Sequence, residues 1–240
     1  MRSALVTGAA KRVGREIALE VARAGFDVAI TYLSSERDAQ QVVSDIEGLG
    51  RRAVAIKADL NDSARGTAIV FERFESSFER LDVLVNNAST WLPGTLRDTR
   101  REMVQTLNAL HVEAPLFLCQ KFEPMLRAAK GHVVNMCDLL AERPWPEYLA
   151  YCASKAALLN LTLGLARTLA PDVTVNGIAP GVAEWPDDYP EEENAKYLKR
   201  VPLGQPGTPQ DVARLVRFLV TEGTYITGQI IRLDGGRSIT

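Results

Sequence analysis

The apolar positions of the chain fall into two alternating patterns. Nearly continuous apolar runs of strand length lie at residues 4–6, 28–32, 53–56, 83–85, 133–136, 173–178 and 230–233. Segments with the apolar spacing of a helix lie at residues 13–24, 38–49, 64–78, 97–110, 115–128, 151–169 and 209–220. Because continuous apolar strands are buried on both faces, the pattern predicts an α/β fold, a doubly wound parallel sheet with helices on both sides.

Composition adds little to this picture. The length of 240 residues also permits two small domains, but the unbroken alternation favours one domain over residues 1–240. A net charge of −2 favours neither a nucleic acid nor a membrane surface as partner. No leader opens the chain and no apolar stretch approaches the roughly 18 residues of a membrane span, so we expect a cytoplasmic protein. Cys119, Cys137 and Cys152 lack the spacing of metal ligands, and we expect buried thiols.

One segment interrupts the alternation. Residues 183–209, here called the flap segment, read AEWPDDYPEEENAKYLKRVPLGQPGTP and combine five prolines with a cluster of acids. A solvated linker is one interpretation. The segment lies between a predicted strand and a predicted helix, which favours a mobile flap over a binding site.

The first strand leads into a glycine-containing turn, TGAAKRVG, that opens a helix. Gly8 permits a tight turn, and Gly14 permits close packing of the helix on the strand. Exposed amides at such a helix start attract a pyrophosphate, as in Rossmann-like dinucleotide sites. Arg12 stands where a middle glycine is usual, and Lys11 precedes it. Because cations are unfavourable at the positive end of a helix unless an anion meets them, the turn predicts anion binding.

The end of the second strand indicates which dinucleotide binds. Enzymes that prefer NAD place an acid about 20 residues beyond the glycines, on the ribose 2′-hydroxyl. Here Tyr32, Ser34 and Ser35 bring no acid. Their hydroxyls, together with Lys11, would suit the 2′-phosphate of NADPH, whereas Glu36 argues the other way. The sequence therefore predicts NADPH.

Several motifs, in order along the whole chain, resemble those of the short-chain dehydrogenase/reductase superfamily. They are TGAAKRVG at 7–14, Asp59–Leu60, NNAS at 86–89, Tyr151 with Lys155, IAPG at 178–181 and DGG at 234–236. The resemblance implies a Rossmann-like sheet of about seven strands. It also implies a homotetramer formed partly through residues 115–128 and 151–169, with the C-terminal GGRSIT near a neighbour. The cofactor residues that it implies are Gly8, Lys11, Arg12, Val13, Gly14, Tyr32, Ser34, Ser35, Asp59, Leu60, Asn87, Ala88, Ser89, Met136, Tyr151, Lys155, Pro180, Gly181 and Val182.

Within that superfamily the chain is most similar to the pteridine reductases and the bacterial dihydromonapterin reductases. Three departures from the ordinary pattern carry this resemblance: Arg12 in the turn, Trp91 after NNAS, and Asp138 where a serine is usual. In LHVEAP, His111 stands where the superfamily commonly has a structural asparagine. The substrate contacts that the resemblance implies are Arg12, Ser89, Trp91, Asp138 and Tyr151.

Tyr151 and Lys155 are predicted to act together. Residues four apart on a helix share one face, where the ammonium favours the phenolate that tyrosine becomes when it gives up its proton. The resemblance implies that Tyr151 is the proton donor and that Lys155 holds the nicotinamide ribose and lowers the tyrosine pKa. Their presence argues against a nucleotide-sensing regulator without turnover.

Asp138 is the third predicted catalytic residue and indicates the substrate. It follows a strand at the carboxyl edge, where open parallel sheets bind ligands. An ionised carboxylate about 4 Å from a developing alkoxide would raise the barrier of ketone reduction by about 4 kcal/mol. Reduction of a C=N bond instead needs a proton at nitrogen, which an acid can relay, and Trp91 offers a flat face for stacking. We therefore expect NADPH-dependent reduction of dihydromonapterin, dihydrobiopterin or dihydrofolate to the tetrahydro form; the alternative is a carbonyl or 3-oxoacyl-thioester reductase of the same superfamily.

Overall fold

The computed structural model describes residues 1–185 and 190–240. The strands in these residues are β1 (Ser3–Val6), β2 (Asp27–Tyr32), β3 (Ala53–Lys57), β4 (Val83–Asn86), β5 (His132–Met136), β6 (Thr174–Pro180) and β7 (Ile230–Leu233). The helices are α1 (Arg12–Arg23), α2 (Glu36–Gly48), α3 (Ser63–Glu75), α4 (Arg101–Asn108), α5 (Ala114–Ala129), α6 (Leu149–Leu169), α7 (Glu191–Leu198) and α8 (Pro209–Thr221).

The strands form one parallel sheet in the order β3-β2-β1-β4-β5-β6-β7. The chain moves outward from β1 to β3, and then returns to place β4 on the other side of β1. The connections that leave β1 and β4 therefore run toward opposite edges of the sheet. Open α/β sheets bind ligands at such a switch point. The predicted doubly wound sheet is confirmed.

Each face of the sheet carries its own apolar core. In β1, Ala4 and Val6 belong to the core shared with α1, α2 and α8, whereas Leu5 belongs to the core shared with α3, α5 and α6. All three side chains are fully buried. The alternation follows from the two-residue period of a strand, and it explains why the strands are apolar throughout.

α6 corrects one expectation. Of the described helices, it alone is long and apolar enough to cross a membrane by length and composition. The expectation that no apolar stretch approaches a membrane span is therefore wrong. Leu158, Leu165 and Leu169 of this helix lie in the apolar cores, so its composition is that of a core helix.

The flap segment contains an element that periodicity did not predict. α7 begins with Glu191, Glu192 and Glu193, which lie in its first turn and complement the positive end of the helix dipole. The part of the predicted flap from 186 to 189 lies outside the described residues. Whether the segment moves over a site stays a prediction.

Candidate active site

A cavity of about 710 Å³ opens at the carboxyl edge of the sheet, around the switch point between β1 and β4. Among the described residues, its wall contains the predicted catalytic residues Asp138, Tyr151 and Lys155, and the predicted substrate contacts Arg12, Ser89 and Trp91. It also contains these predicted cofactor residues: Gly8, Lys11, Val13, Gly14, Tyr32, Asp59, Leu60, Asn87, Ala88, Met136, Pro180, Gly181 and Val182. Ser34 and Ser35 do not line it, so their predicted phosphate contact has no counterpart in this wall.

The glycine turn leaves room that a side chain would fill. Gly8 has φ +63°, and a Cβ there would lie 2.8 Å from Cα of Ala88. A Cβ on Gly14 would lie 2.5 Å from both Nδ2 of Asn87 and the carbonyl oxygen of Gly8. Since only glycine fits either position, the turn brings β1, α1 and the end of β4 into contact, and it places the start of α1, the end of a helix that attracts anions, at the cavity.

Thr7 joins this turn to the end of β4. Its Oγ1 accepts the backbone N–H groups of Asn87 and Ala88 at 2.9 and 3.0 Å. The Asn87 amide donates to the carbonyls of Thr7 and Gly8 at 2.9 and 3.1 Å. These bonds hold the glycine turn against the end of β4, and we call the resulting hollow around Gly8, Gly14 and Asn87 the cradle. Rossmann-like proteins bind a pyrophosphate at such a turn, so the residues present fit a dinucleotide.

The two predicted cations at the turn are paired with acids. Arg12 has φ 54°, an uncommon conformation for a residue with a side chain. Its Nε donates to Oε2 of Glu184 at 2.9 Å, and Nη2 donates to the Glu184 carbonyl oxygen at 2.9 Å. Lys11 Nζ lies 3.0 Å from Oδ2 of Asp38. All four side chains are largely solvent-exposed, so these ion pairs are weak and exchangeable for an anion.

Asp138 and Tyr151 form the centre of the site. Tyr151 Oη donates to Oδ2 of Asp138 at 2.7 Å, and Oδ1 accepts the backbone N–H of Leu140 at 2.8 Å. Asp138 caps the short turn Leu139–Ala141, which places its carboxyl group just beyond β5. Burial raises the pKa of Asp138, while the bond from Leu140 and the charge of Lys155 oppose the rise. Burial therefore favours the protonated acid.

Lys155 is buried behind the tyrosine. Its Nζ donates to the Met136 carbonyl oxygen at 2.9 Å and lies 5.7 Å from the centroid of the Tyr151 ring. Burial, followed by the charge of Asp138, raises the pKa of Tyr151 well above its usual value. Lys155 is not among the groups that cause this shift, so the expectation that it lowers the Tyr151 pKa stays a prediction. Tyr151 stays protonated, as a proton donor must.

His111 is buried next to Tyr151 and lies between two serine hydroxyls. It lies in the π-helical turn Ala109–Glu113 between α4 and α5, with Nε2 2.9 Å from Oγ of Ser89 and Nδ1 2.8 Å from Oγ of Ser154. Burial and the charge of Lys155 lower the pKa of His111 to about 2, so the ring is neutral. Ser154 gives its own proton to the Tyr151 carbonyl oxygen at 2.7 Å. Nδ1 therefore carries the ring proton, and Ser89 donates to Nε2.

Several aromatic side chains lie around Tyr151 at the cavity. The ring centroid of Trp91 lies 4.7 Å from that of Tyr151 and 4.4 Å from that of Tyr148. Trp145 and Tyr197, with centroids 6.2 Å apart, extend this aromatic surface. Neither Trp145 nor Tyr197 was predicted. Both lie in segments that follow the carboxyl ends of β5 and β6, and that position is the signal that points to them.

Comparison with known proteins fits this architecture. A family model described as Enoyl-(Acyl carrier protein) reductase matches residues 8–238. The 3-oxoacyl-[acyl-carrier-protein] reductase FabG of Staphylococcus aureus is 35% identical, covering 98% of this chain and 97% of the relative. A 3-oxoacyl-[acyl-carrier-protein] reductase of Synechocystis is 34% identical, covering 97% and 95%.

Solved structures of similar fold include two that contain NADP or NADPH. A short-chain dehydrogenase from Burkholderia cenocepacia in complex with NADP is 38% identical, with a TM-score of 0.92 over 98% of this chain and 97% of that one. A blue fluorescent protein from a metagenomic library in complex with NADPH is 34% identical, with a TM-score of 0.93 over 98% and 97%. The chain belongs to the short-chain dehydrogenase/reductase superfamily, and it is an oxidoreductase of that class. The named relatives support the 3-oxoacyl-thioester alternative better than the expected pteridine-reductase similarity.

Proposed function

We propose that the chain is an NADPH-dependent reductase of a pterin C=N bond. The cradle around Gly8, Gly14 and Asn87 would hold the pyrophosphate, Lys11 the 2′-phosphate, and Lys155 the nicotinamide ribose. When bound, NADPH supplies the hydride. NADP and NADPH in the two solved structures named above support this cofactor for the chain.

The hydrogen bond between Tyr151 and Asp138 carries the proposal. A serine is usual at this position in the superfamily, but here the phenol donates to a carboxyl group. When Asp138 is protonated on Oδ2, the direction of this bond reverses: Oδ2 donates to Oη, and the acid passes its proton to Tyr151 as Tyr151 passes its own to a ring nitrogen. One proton leaves Asp138 and one reaches the substrate, so the relay is balanced.

The surroundings suit a flat nitrogen heterocycle. Trp91 is 40% exposed and offers an indole face beside Tyr151 for stacking. Ser89 gives its proton to His111, so its oxygen presents lone pairs that can accept an N–H of the ring edge. The proposed substrates are dihydromonapterin, dihydrobiopterin and dihydrofolate, each reduced to its tetrahydro form.

The names of the relatives favour a second candidate, reduction of the ketone of a 3-oxoacyl thioester. Sequence similarity supports this candidate better than it supports pterin reduction. It requires Asp138 to be protonated beside the developing alkoxide, because an ionised carboxylate there would oppose the reaction. In the pterin candidate the side chain of Asp138 has a use in either state, since the acid can relay a proton and the carboxylate can accept ring N–H groups.

Turnover of matched substrates separates the two candidates. NADPH oxidation by the purified protein is followed with dihydrobiopterin, dihydromonapterin, dihydrofolate, a 3-oxoacyl thioester and a simple ketone. We expect the dihydropterins to give the highest kcat/KM. A higher kcat/KM for the 3-oxoacyl thioester would overturn the proposal in favour of the second candidate. A Tyr151→Phe protein is the control for non-enzymatic oxidation of NADPH.

We also propose that the protein is a cytoplasmic homotetramer. Leu116 on α5 and Leu149 and Leu163 on α6 are exposed apolar side chains on the helices expected to form the interface. Burial of such side chains against a second copy stabilises association. Light scattering on the eluting protein measures the assembly mass, and a monomer would contradict the proposal.

A further inference from the structure

Arg237 is a buried cation at the wall of the cavity. It lies in the short turn Arg237–Ile239 after β7 and is only 6% exposed. Among residues 1–185 and 190–240, its Nε has no hydrogen-bond partner, and Nη1 reaches Oγ1 of Thr240 only at 3.5 Å. Buried guanidinium groups normally have their donors satisfied, so Arg237 is an exception that calls for a physical reason.

No carboxylate of the described residues lies within ion-pair distance of Arg237. Asp234 is close enough to act on it, but the Asp234 oxygens accept the backbone N–H groups of Gly236 at 3.0 Å and Ser238 at 2.7 Å. Burial lowers the pKa of Arg237, and the nearby charges of Arg200 and Arg143 lower it further. A buried, unpaired charge among other cations is unfavourable unless an anion joins it.

The position of Arg237 connects it with the reaction centre. Its guanidinium carbon lies 5.6 Å from the ring centroid of Tyr197, and the charges of both Arg237 and Asp138 act on the Tyr197 hydroxyl. Arg143, which follows the turn capped by Asp138, donates to the Ser238 carbonyl oxygen and lines the same cavity. A molecule held at Asp138 can therefore extend along Tyr197 toward a second guanidinium group.

We propose that Arg237, with Arg143 beside it, forms an anion-binding subsite for an oxyanion carried on the side chain of the substrate. The identity of the substrate ring rests on the function proposed above, but the subsite does not. A planar guanidinium whose Nε–H has no partner in the described part of the chain offers the paired donors that carboxylates and phosphates accept. Dihydrofolate would present carboxylates there, and an acyl group on a phosphate-bearing carrier would present a phosphate.

Replacement of Arg237 by Met tests the subsite on matched substrates. Met keeps an apolar stem against Tyr197 and removes the charge. We expect KM for dihydrofolate to rise about tenfold or more, because one charge-assisted hydrogen bond is lost. KM for uncharged dihydrobiopterin should be unchanged. Arg237→Lys should retain part of the dihydrofolate affinity. Arg214→Met on α8, an exposed arginine outside the cavity, is the matched control and should alter neither KM.

A binding measurement keeps the subsite separate from the proposed reaction. Benzoyl-glutamate, a dicarboxylate without a pterin ring, and inorganic phosphate are titrated calorimetrically into the NADPH-loaded parent and Arg237→Met proteins. Binding weakened by the substitution supports the subsite even if no pterin is reduced, and the tighter of the two probes indicates a carboxylate or a phosphate side chain. Equal binding by both proteins overturns it, as does an equal rise in KM for dihydrofolate and dihydrobiopterin. A thermal melt of each variant excludes loss of fold.

Discussion

The two ends of the cavity are built by different means. At the cofactor end, the backbone determines the shape: Gly8 and Gly14 bring β1, α1 and β4 together more closely than any side chain would allow. At the substrate end, side chains determine it: Trp91, Asp138 and Tyr197 come from three separate segments, which follow β4, β5 and β6. The backbone turn suits the cofactor that the whole superfamily shares, whereas side chains from several separate segments can select one substrate.

Electrostatics separate the two ends as well. The cations at the cofactor end, Lys11 and Arg12, are exposed and paired with acids that an incoming phosphate can replace. The ionisable groups at the substrate end, Asp138, Tyr151 and Lys155, are bonded to one another or to the backbone. Substitutions of Asp138 and Tyr151 should therefore change the rate of reaction, and substitutions of Lys11 and Arg12 should mainly change the affinity for the cofactor.

Tyr151→Phe should have the largest effect, and it should act on one end only. The change removes the proton donor but keeps the ring against Trp91, so we expect kcat to fall by about 10² to 10⁴ while NADPH binding is retained. Lys155→Ala should impair both turnover and cofactor binding. Stopped-flow turnover and NADPH fluorescence titration measure the two effects. Activity within a few fold of the parent would show that Tyr151 is not the acid.

Asp138→Ser should affect pterin reduction and ketone reduction differently, and that difference tests the substrate end. If Asp138 relays a proton to nitrogen, the substitution should lower kcat/KM for a dihydropterin by about 30-fold to 1,000-fold, or roughly 2–4 kcal/mol. It should leave ketone reduction unchanged or faster, because serine supplies a donor of its own; the gain should be larger above the raised pKa of Asp138, where the parent carries an ionised carboxylate. Both activities are measured on parent and variant. Pterin turnover that survives while ketone turnover collapses would favour a carbonyl reductase.

The pH dependence of kcat should report the titration of Asp138. Burial raises the pKa of Asp138, so its proton is present below that raised pKa and is lost as pH increases through it. We expect kcat for a dihydropterin to fall about tenfold per pH unit above that point. Tyr151 keeps its proton to a higher pH, since its own pKa is raised well above the usual value. The falling limb should be absent from Asp138→Ser, and an identical limb in both proteins would exclude the relay.

The cofactor end was the more predictable of the two, for a physical reason. A glycine turn, a strand and a helix are local features, and their residues are close in sequence; Tyr151 and Lys155 are likewise one helical turn apart. Arg237 and Tyr197 reach the cavity only through the return of the chain after β7 and β6, a placement that no local pattern indicates. α7 was missed because its apolar spacing is weak and its acids satisfy the helix dipole instead.

The preference for NADPH over NADH concerns the cofactor end alone. Lys11 lies at the turn with Asp38 as an exposed partner, and a 2′-phosphate would compete for it. Charge-assisted contacts of about 1.5–3 kcal/mol imply a preference of at least about tenfold in kcat/KM. Lys11→Ala should remove most of this preference by weakening NADPH and sparing NADH. Equal efficiency with both cofactors in the parent would contradict the prediction.

Glu184→Gln should have the smallest effect, and it concerns a contact that joins the two ends. Glu184 lies in the flap segment and pairs with Arg12 at the glycine turn, so a phosphate that recruits Arg12 must first displace the carboxylate. Both side chains are about half exposed, which limits the pair to about 0.2–1 kcal/mol. Gln removes the charge and keeps the size, so we expect NADPH to bind up to about fivefold more tightly, since a difference of 1.4 kcal/mol is tenfold. The gain should shrink at high salt, because exposed charges are screened.

Glu222→Gln, which alters a carboxylate outside the cavity wall, is the control for a general change in net charge. Weaker NADPH binding in Glu184→Gln would mean that Glu184 orients Arg12 for the phosphate rather than competing with it.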